Sequence, residues 1–267
     1  MFSRVLKHIR VPYHSSSSRS FVSSAPSFTS ITELREYKLI PGQAAKYIQH
    51  TTEYASVRHE LVPTRLFSLP ETGGQLHVAT HLYHYDKGYE HRDEARSLMP
   101  KDERWVEYLG LIRPLIQEQH STCFTEAPLV QDFSLHGMAN GSSPGQENSD
   151  GSSTSYELRR YQLRLGYDTV PKFLEYYAQG LPSKLNAHGT DPSTSLVTVL
   201  YNDTGSLNEV IEIWRHGDGT KAMGISREAA RGAVPWRKAI TKIAGLALHF
   251  QSTIHKPVAG NGLSKWL

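Results

Sequence analysis

Residues 31–39, "ITELREYKL", alternate with a period of two: Glu33, Arg35, Tyr37 and Leu39 fall on one face, Leu34, Glu36 and Lys38 on the other. That period predicts a strand. Pro41-Gly42 punctuates it, and residues 43–61 carry Ala44, Tyr47, Ile48, Ala55 and Leu61 at helical spacing. Strands are expected at 64–69 and 76–85 with a turn at 70–74, helices at 87–99 and 102–118 broken at Pro100, and a strand at 119–127. The same order then returns. A strand at 156–164 leads to a helix at 169–186 with Pro171 in its first turn, where a missing N–H is harmless. Strands at 196–201 and 207–215, helices at 220–231 and 236–245 and a strand at 246–254 complete it. The segment 196–201 is apolar on both faces, which predicts burial on both.

The repeat has a sequence mark. "ELREYKLIPG" at 33–42 and "ELRRYQLRLG" at 157–166 agree at six of ten positions. Each opens a β-α-β-β-α-α-β run, so the chain reads as a duplication. Between the copies, residues 131–155 are rich in Gly, Ser and Asn from Gly137 onward, the composition of a flexible linker. The organisation expected is 1–28 leader, 30–130 first domain, 131–155 linker, 156–258 second domain and 259–267 tail. Each domain is an α+β unit, an antiparallel sheet with helices on one face, and two such sheets in one chain can cover each other.

Composition narrows the function. The chain has 267 residues, 21% charged, with a net charge of +3. Without a basic patch interleaved with aromatics in the body, nucleic acid is not an expected partner. No apolar run reaches the roughly 18 residues of a membrane span. The single cysteine, Cys123, excludes an internal disulfide and reads as a core residue. Residues 1–32 hold no Asp or Glu, but do hold Arg4, Lys7, Arg10 and Arg19 among many serines. Phe2, Val5, Leu6 and Ile9 share the opposite helical side. This is the composition of a mitochondrial transit peptide, with cleavage expected before Val22 and a matrix location.

Candidate chemistry is sparse. The chain has no phosphate loop, nucleophile elbow, CxxC pair or dinucleotide fingerprint. His77, His81 and His84 lie on a strand, where i and i+4 are about 13 Å apart, too far to share one zinc ion. The face carrying His77, His81 and Tyr83 reads as a polar aromatic wall, of a cavity or of an inter-sheet contact. The face kept between the copies is Glu33, Arg35, Tyr37 against Glu157, Arg159, Tyr161. Arg35 and Arg159 either meet an anionic ligand between the sheets or, more commonly for half-buried arginine, pair with a neighbouring carboxylate. Arg92 and Arg96, one helical turn apart, are further carboxylate or phosphate candidates. Trp105, Trp214 and Trp236 are expected as core anchors. No metal and no cofactor is expected.

The segments "ELREYKLIPG", "HLYHYDKGYEHRDEAR" (81–96) with Trp105, and "ELRRYQLRLG" with "EIWRH" (212–216) resemble the NIPSNAP family. The resemblance spans roughly 30–130 and 156–256. It implies tandem ferredoxin-like domains of the dimeric α/β-barrel type, and a mitochondrial protein linked to vesicle transport or quality control without an established reaction. The expectation is a non-enzymatic protein acting through mitochondrial protein partners, through a small-molecule ligand, or as a homo-oligomer. The alternative is an enzyme with oxygenase- or isomerase-like chemistry in a barrel cavity.

Overall fold

The computed structural model describes residues 29–140 and 153–258. The leader, the tail and the middle of the expected linker lie outside them. The first half runs β1 (Ile31–Leu39), α1 (Ala44–Glu53), α2 (Ala55–Leu61), β2 (Thr64–Thr72), β3 (Val78–Tyr85), α3 (Gly88–Leu98), α4 (Glu103–Ile112) and β4 (Ile116–Glu126). A short α5 (Leu129–Asp132) follows. The second half runs β5 (Ser155–Leu163), α6 (Thr169–Leu185), β6 (Thr194–Asn202), β7 (Glu209–His216), α7 (Gly219–Gly232), α8 (Val234–Ala244) and β8 (Ala247–Pro257).

Every neighbouring strand pair is antiparallel, in the order β4-β1-β3-β2 for the first half and β8-β5-β7-β6 for the second. The two sheets join at both edges, β2 to β8 and β4 to β6, closing one eight-stranded barrel. Duplication of an α+β unit is thus what the chain builds.

Each sheet has two working faces. The inward faces meet in an apolar core drawn from both halves, including Leu34, Leu66, Leu82, Phe124, Leu158 and Ile213. Each outward face packs against its own helices, with Tyr37, Tyr47, Tyr83 and Trp105 in the first half and Tyr161, Phe173, Trp214 and Trp236 in the second. β6 is buried along most of its length, as its two apolar faces require.

Differences from the sequence reading have local causes. The helix expected to 118 ends at Ile112, because Arg113-Pro114-Leu115 forms a 3-10 turn and β4 begins at Ile116 to pair with β1. The helix expected at 43–61 breaks at Tyr54 into α1 and α2. β3 starts at Val78, leaving His77 in an exposed turn. Residues 131–140 do not behave as a free linker: Met138 is buried in the barrel core, and its N–H donates to Glu126 Oε1 at 2.8 Å.

Candidate functional site

The strand register makes the two outward faces comparable residue by residue. Glu33 lies opposite Tyr83, and Arg35 opposite His81 and Ser121. In the second half Glu157 lies opposite Trp214, and Arg159 opposite Glu212 and Ser252. The retained Glu/Arg/Tyr face therefore looks outward to its own helices, not between the sheets as one reading had it. The face that drifts is the one that meets the other half: Glu36 and Arg160, at equivalent positions, pair with each other at 2.8 Å.

In both halves the retained arginine is held by the retained glutamate. Arg35 Nε donates to Glu33 at 2.9 Å, and Arg159 Nε to Glu157 at 2.6 Å. Each glutamate takes further donors of the same kind. Ser121 and Arg92 serve Glu33; Ser252 and Arg227 serve Glu157. Burial pushes the Glu33 carboxyl up, but Arg92, Arg35 and Ser121 outweigh it and bring it down to about 2. For Glu157 the same opposition, led by His216 and Arg159, also ends well below the usual carboxylate range. These are ion-paired frameworks, the commoner fate of such arginines.

Above each framework sits a buried cation that the sequence reading did not single out. In the first half it is Arg58, from α2. Its Nη1 donates to Tyr108 Oη at 2.8 Å, and its Nη2 to Tyr83 Oη and to His81 Nδ1, the latter at 3.2 Å. Because guanidinium only donates, His81 Nδ1 must accept, so the imidazole proton sits on Nε2 and points to Tyr47 Oη at 3.0 Å. Burial, with Arg58 and Arg35 nearby, pushes the His81 imidazolium well below its ordinary range, and the ring is neutral. In the second half the cation is Lys184, from the last turn of α6. Its ammonium lies 3.7 Å from the Trp214 ring centroid and 4.4 Å from that of Trp236. Arg58 holds the matching place, 5.8 Å from Tyr83 and 5.7 Å from Trp105.

The two cations differ in counter-charge. Glu212 Oε2 lies 4.0 Å from Lys184 Nζ, but Glu212 is already engaged by Tyr161 Oη at 2.5 Å and Trp214 Nε1 at 2.6 Å. At the equivalent position Arg58 finds His81, and no carboxylate pairs with Arg58 among the described residues. A buried guanidinium without an anion is costly. Arg58 Nε and Arg35 Nη2 are moreover buried without a hydrogen-bond partner.

Both cations open onto cavities between sheet and helices. The first is about 400 Å³; its charged lining is Arg35, Arg58, Arg96 and Arg113, with no carboxylate, and Tyr37, Tyr83 and Trp105 supply aromatic walls. The second is about 790 Å³ and lined by Arg159, Lys184, Trp214, Trp236 and Phe250 among others. Of the residues singled out from sequence, Arg35, Tyr37, Tyr83 and Arg96 come together at the first cavity, with His81 beneath Arg58. Arg92 supports Glu33 from outside that cavity. Arg159 lines the second cavity, while Tyr161 lies beneath it, stacked on Phe250. His77 joins neither. The barrel interior, where an enzyme cavity was the alternative, holds the shared apolar core, with a polar hollow of about 290 Å³ at the Glu36–Arg160 end. Among the described residues no three His, Cys, Asp or Glu side chains gather as a metal site, and no helix is long and apolar enough to cross a membrane.

Residues 32–131 match the NIPSNAP family. No curated protein matches the chain. Among solved structures, a candidate monooxygenase from Fusobacterium nucleatum aligns with TM-score 0.59 at 11% identity, covering 86% of this chain and 93% of that one. A candidate monooxygenase from Lactobacillus acidophilus aligns with TM-score 0.55 at 10% identity, covering 86% and 95%. These likenesses show the two-domain barrel fold alone. An uncharacterized NIPSNAP-like domain protein from Burkholderia xenovorans aligns at 25% identity with TM-score 0.35, covering 38% of this chain and 88% of that one.

Proposed function

We propose that this chain, whose residues 32–131 form a NIPSNAP-family domain, binds a small organic or inorganic anion in the cavity of that domain. The observation that carries the reading is Arg58: a buried cation with no carboxylate partner among the described residues, opening with Arg35 onto a cavity whose lining holds four arginines and no acid. Its size is that of ordinary small-molecule sites, about 300–1,000 Å³. An anion there would supply both the missing counter-charge and acceptors for Arg58 Nε and Arg35 Nη2.

Binding is better supported here than catalysis. Both His81 nitrogens are engaged, and burial holds the Tyr83 phenol well above its ordinary range, so neither is poised to move a proton. The monooxygenase names belong to the fold neighbours. The reading also keeps the mitochondrial location, supported by the acid-free basic residues of the leader. A mature protein beginning near Val22 on N-terminal sequencing is expected, and one beginning at Met1 overturns that part.

The test is calorimetric titration of the full chain with phosphate, citrate and benzoate. At least one is expected to bind, and Arg58→Met is expected to weaken it about 10- to 100-fold, the worth of a charge-assisted contact. His81→Glu, which puts a carboxylate at the position that Glu212 holds in the second half, should do the same. Unchanged binding in both variants overturns the reading.

A further inference from the structure

The second cavity has a different chemistry. Its lining carries six cationic side chains, Arg159, Lys184, Arg227, Arg231, Arg237 and Lys238, against one carboxylate, Glu157. Its walls are apolar at Trp214, Trp236, Ile240 and Phe250. Lys184 is buried, and among the described residues its Nζ has no hydrogen-bond partner. Its nearest carboxylate, Glu212, is spent on Tyr161 and Trp214. Arg159 and Arg227, fixed by Glu157, leave further N–H groups for a carboxylate beside that amine.

We propose that Lys184 is the attachment point for an aromatic or branched oxo acid. The acid's carboxylate lies against Arg159 and Arg227 and its apolar body against Trp214, Trp236 and Phe250. Lys184 Nζ adds to the carbonyl carbon, forming a C–N bond. The carbonyl oxygen then leaves as water, taking both amine protons, and an imine remains. No oxidant or reductant is consumed. The step needs the neutral amine, and burial, with Arg159 next to it, pushes the Lys184 ammonium down to about 7. Its mate Arg58 cannot do this, since its guanidinium stays charged and offers no neutral primary amine. The inference concerns the second half alone and stands apart from anion binding in the first.

The experiment is reductive trapping. The full chain is incubated with pyruvate or phenylpyruvate and cyanoborohydride, then peptide-mapped by mass spectrometry. The expected result is one adduct per chain, on Lys184, formed about tenfold or more ahead of exposed lysines such as Lys101 and Lys221. Phenylpyruvate should react faster than pyruvate, and phenylacetate, which has the acid and ring but no reactive carbonyl, should protect wild type. Lys184→Met should abolish the adduct. Label spread evenly over exposed lysines, or a rate that phenylacetate leaves unchanged, overturns the proposal, and both read-outs come from wild type, whatever the variant's folding.

Discussion

The two halves place a cation from the first helical segment between two aromatic rings, over an ion-paired Glu/Arg strand, and then diverge at the residue beside it. The first half has Arg58 over neutral His81; the second has Lys184 near Glu212. The framework residues, Glu33 with Arg35 and Glu157 with Arg159, hold the geometry. The variable pair above them sets whether the cation lacks an anion or lacks only a hydrogen bond. One scaffold thus yields an arginine-lined cavity, for which an anion is proposed, and a buried amine beside aromatic rings.

The largest effect is expected in the barrel core, which belongs to both halves. Phe124→Ala is expected to cost about 3–5 kcal/mol. Because Phe124 packs with residues of both sheets, thermal unfolding should stay a single transition and shift as a whole. Two transitions would show that the halves unfold separately. The framework comes next. Glu33 has a folded pKa of about 2 against an ordinary 4.5, so its contribution is fully present above pH 4.5 and is lost as pH falls through about 2. A shift of that size is worth about 3 kcal/mol. Glu33→Gln is expected to lower stability at pH 7 and to flatten acid unfolding across that window, as read by urea midpoints at several pH values.

A smaller effect separates the helices. At Gly180 an added Cβ would sit 2.5 Å from Ala239 Cβ and 3.1 Å from Trp236 Cε3, so α6 and α8 touch there. Gly180→Ala is expected to cost about 1–3 kcal/mol and to displace Trp236 from Lys184, slowing trapping there. In the first half the helix breaks at Tyr54, whose ring lies 5.5 Å from Tyr108 instead. The smallest effect is at the Glu36–Arg160 pair, half-exposed on both sides. A double-mutant cycle to Gln at both positions should return a coupling of about 0.2–1 kcal/mol that shrinks with salt.

Much of this was legible in the chain. The repeated phrase and element order mark two α+β units, and period two in 31–39 separates the two faces correctly. Which face meets which partner was not legible, since that depends on how the sheets close. Sameness between the copies makes the Glu/Arg/Tyr face the natural candidate for the space between the sheets, where one reading puts Arg35 and Arg159. In fact an asymmetric contact, Glu36 with Arg160, requires difference. Arg58 and Lys184 were missed because each looks like an ordinary helix cation. A signal existed: Tyr47, Thr51, Ala55 and Arg58 follow i, i+4, i+8, i+11, as do Phe173, Tyr177, Leu181 and Lys184, and all are buried. A cation ending a buried stripe in both copies is the pattern to look for.

The Glu36–Arg160 contact has a consequence for assembly. The two positions are equivalent in the two halves, so they meet where the barrel's internal symmetry axis passes. Two copies of the first half, closing the same barrel, would set Glu36 against Glu36; two copies of the second would set Arg160 against Arg160. Only the mixed pairing is neutral, so one charge at one strand position favours a first half closing with a second half over two like halves of neighbouring chains closing together.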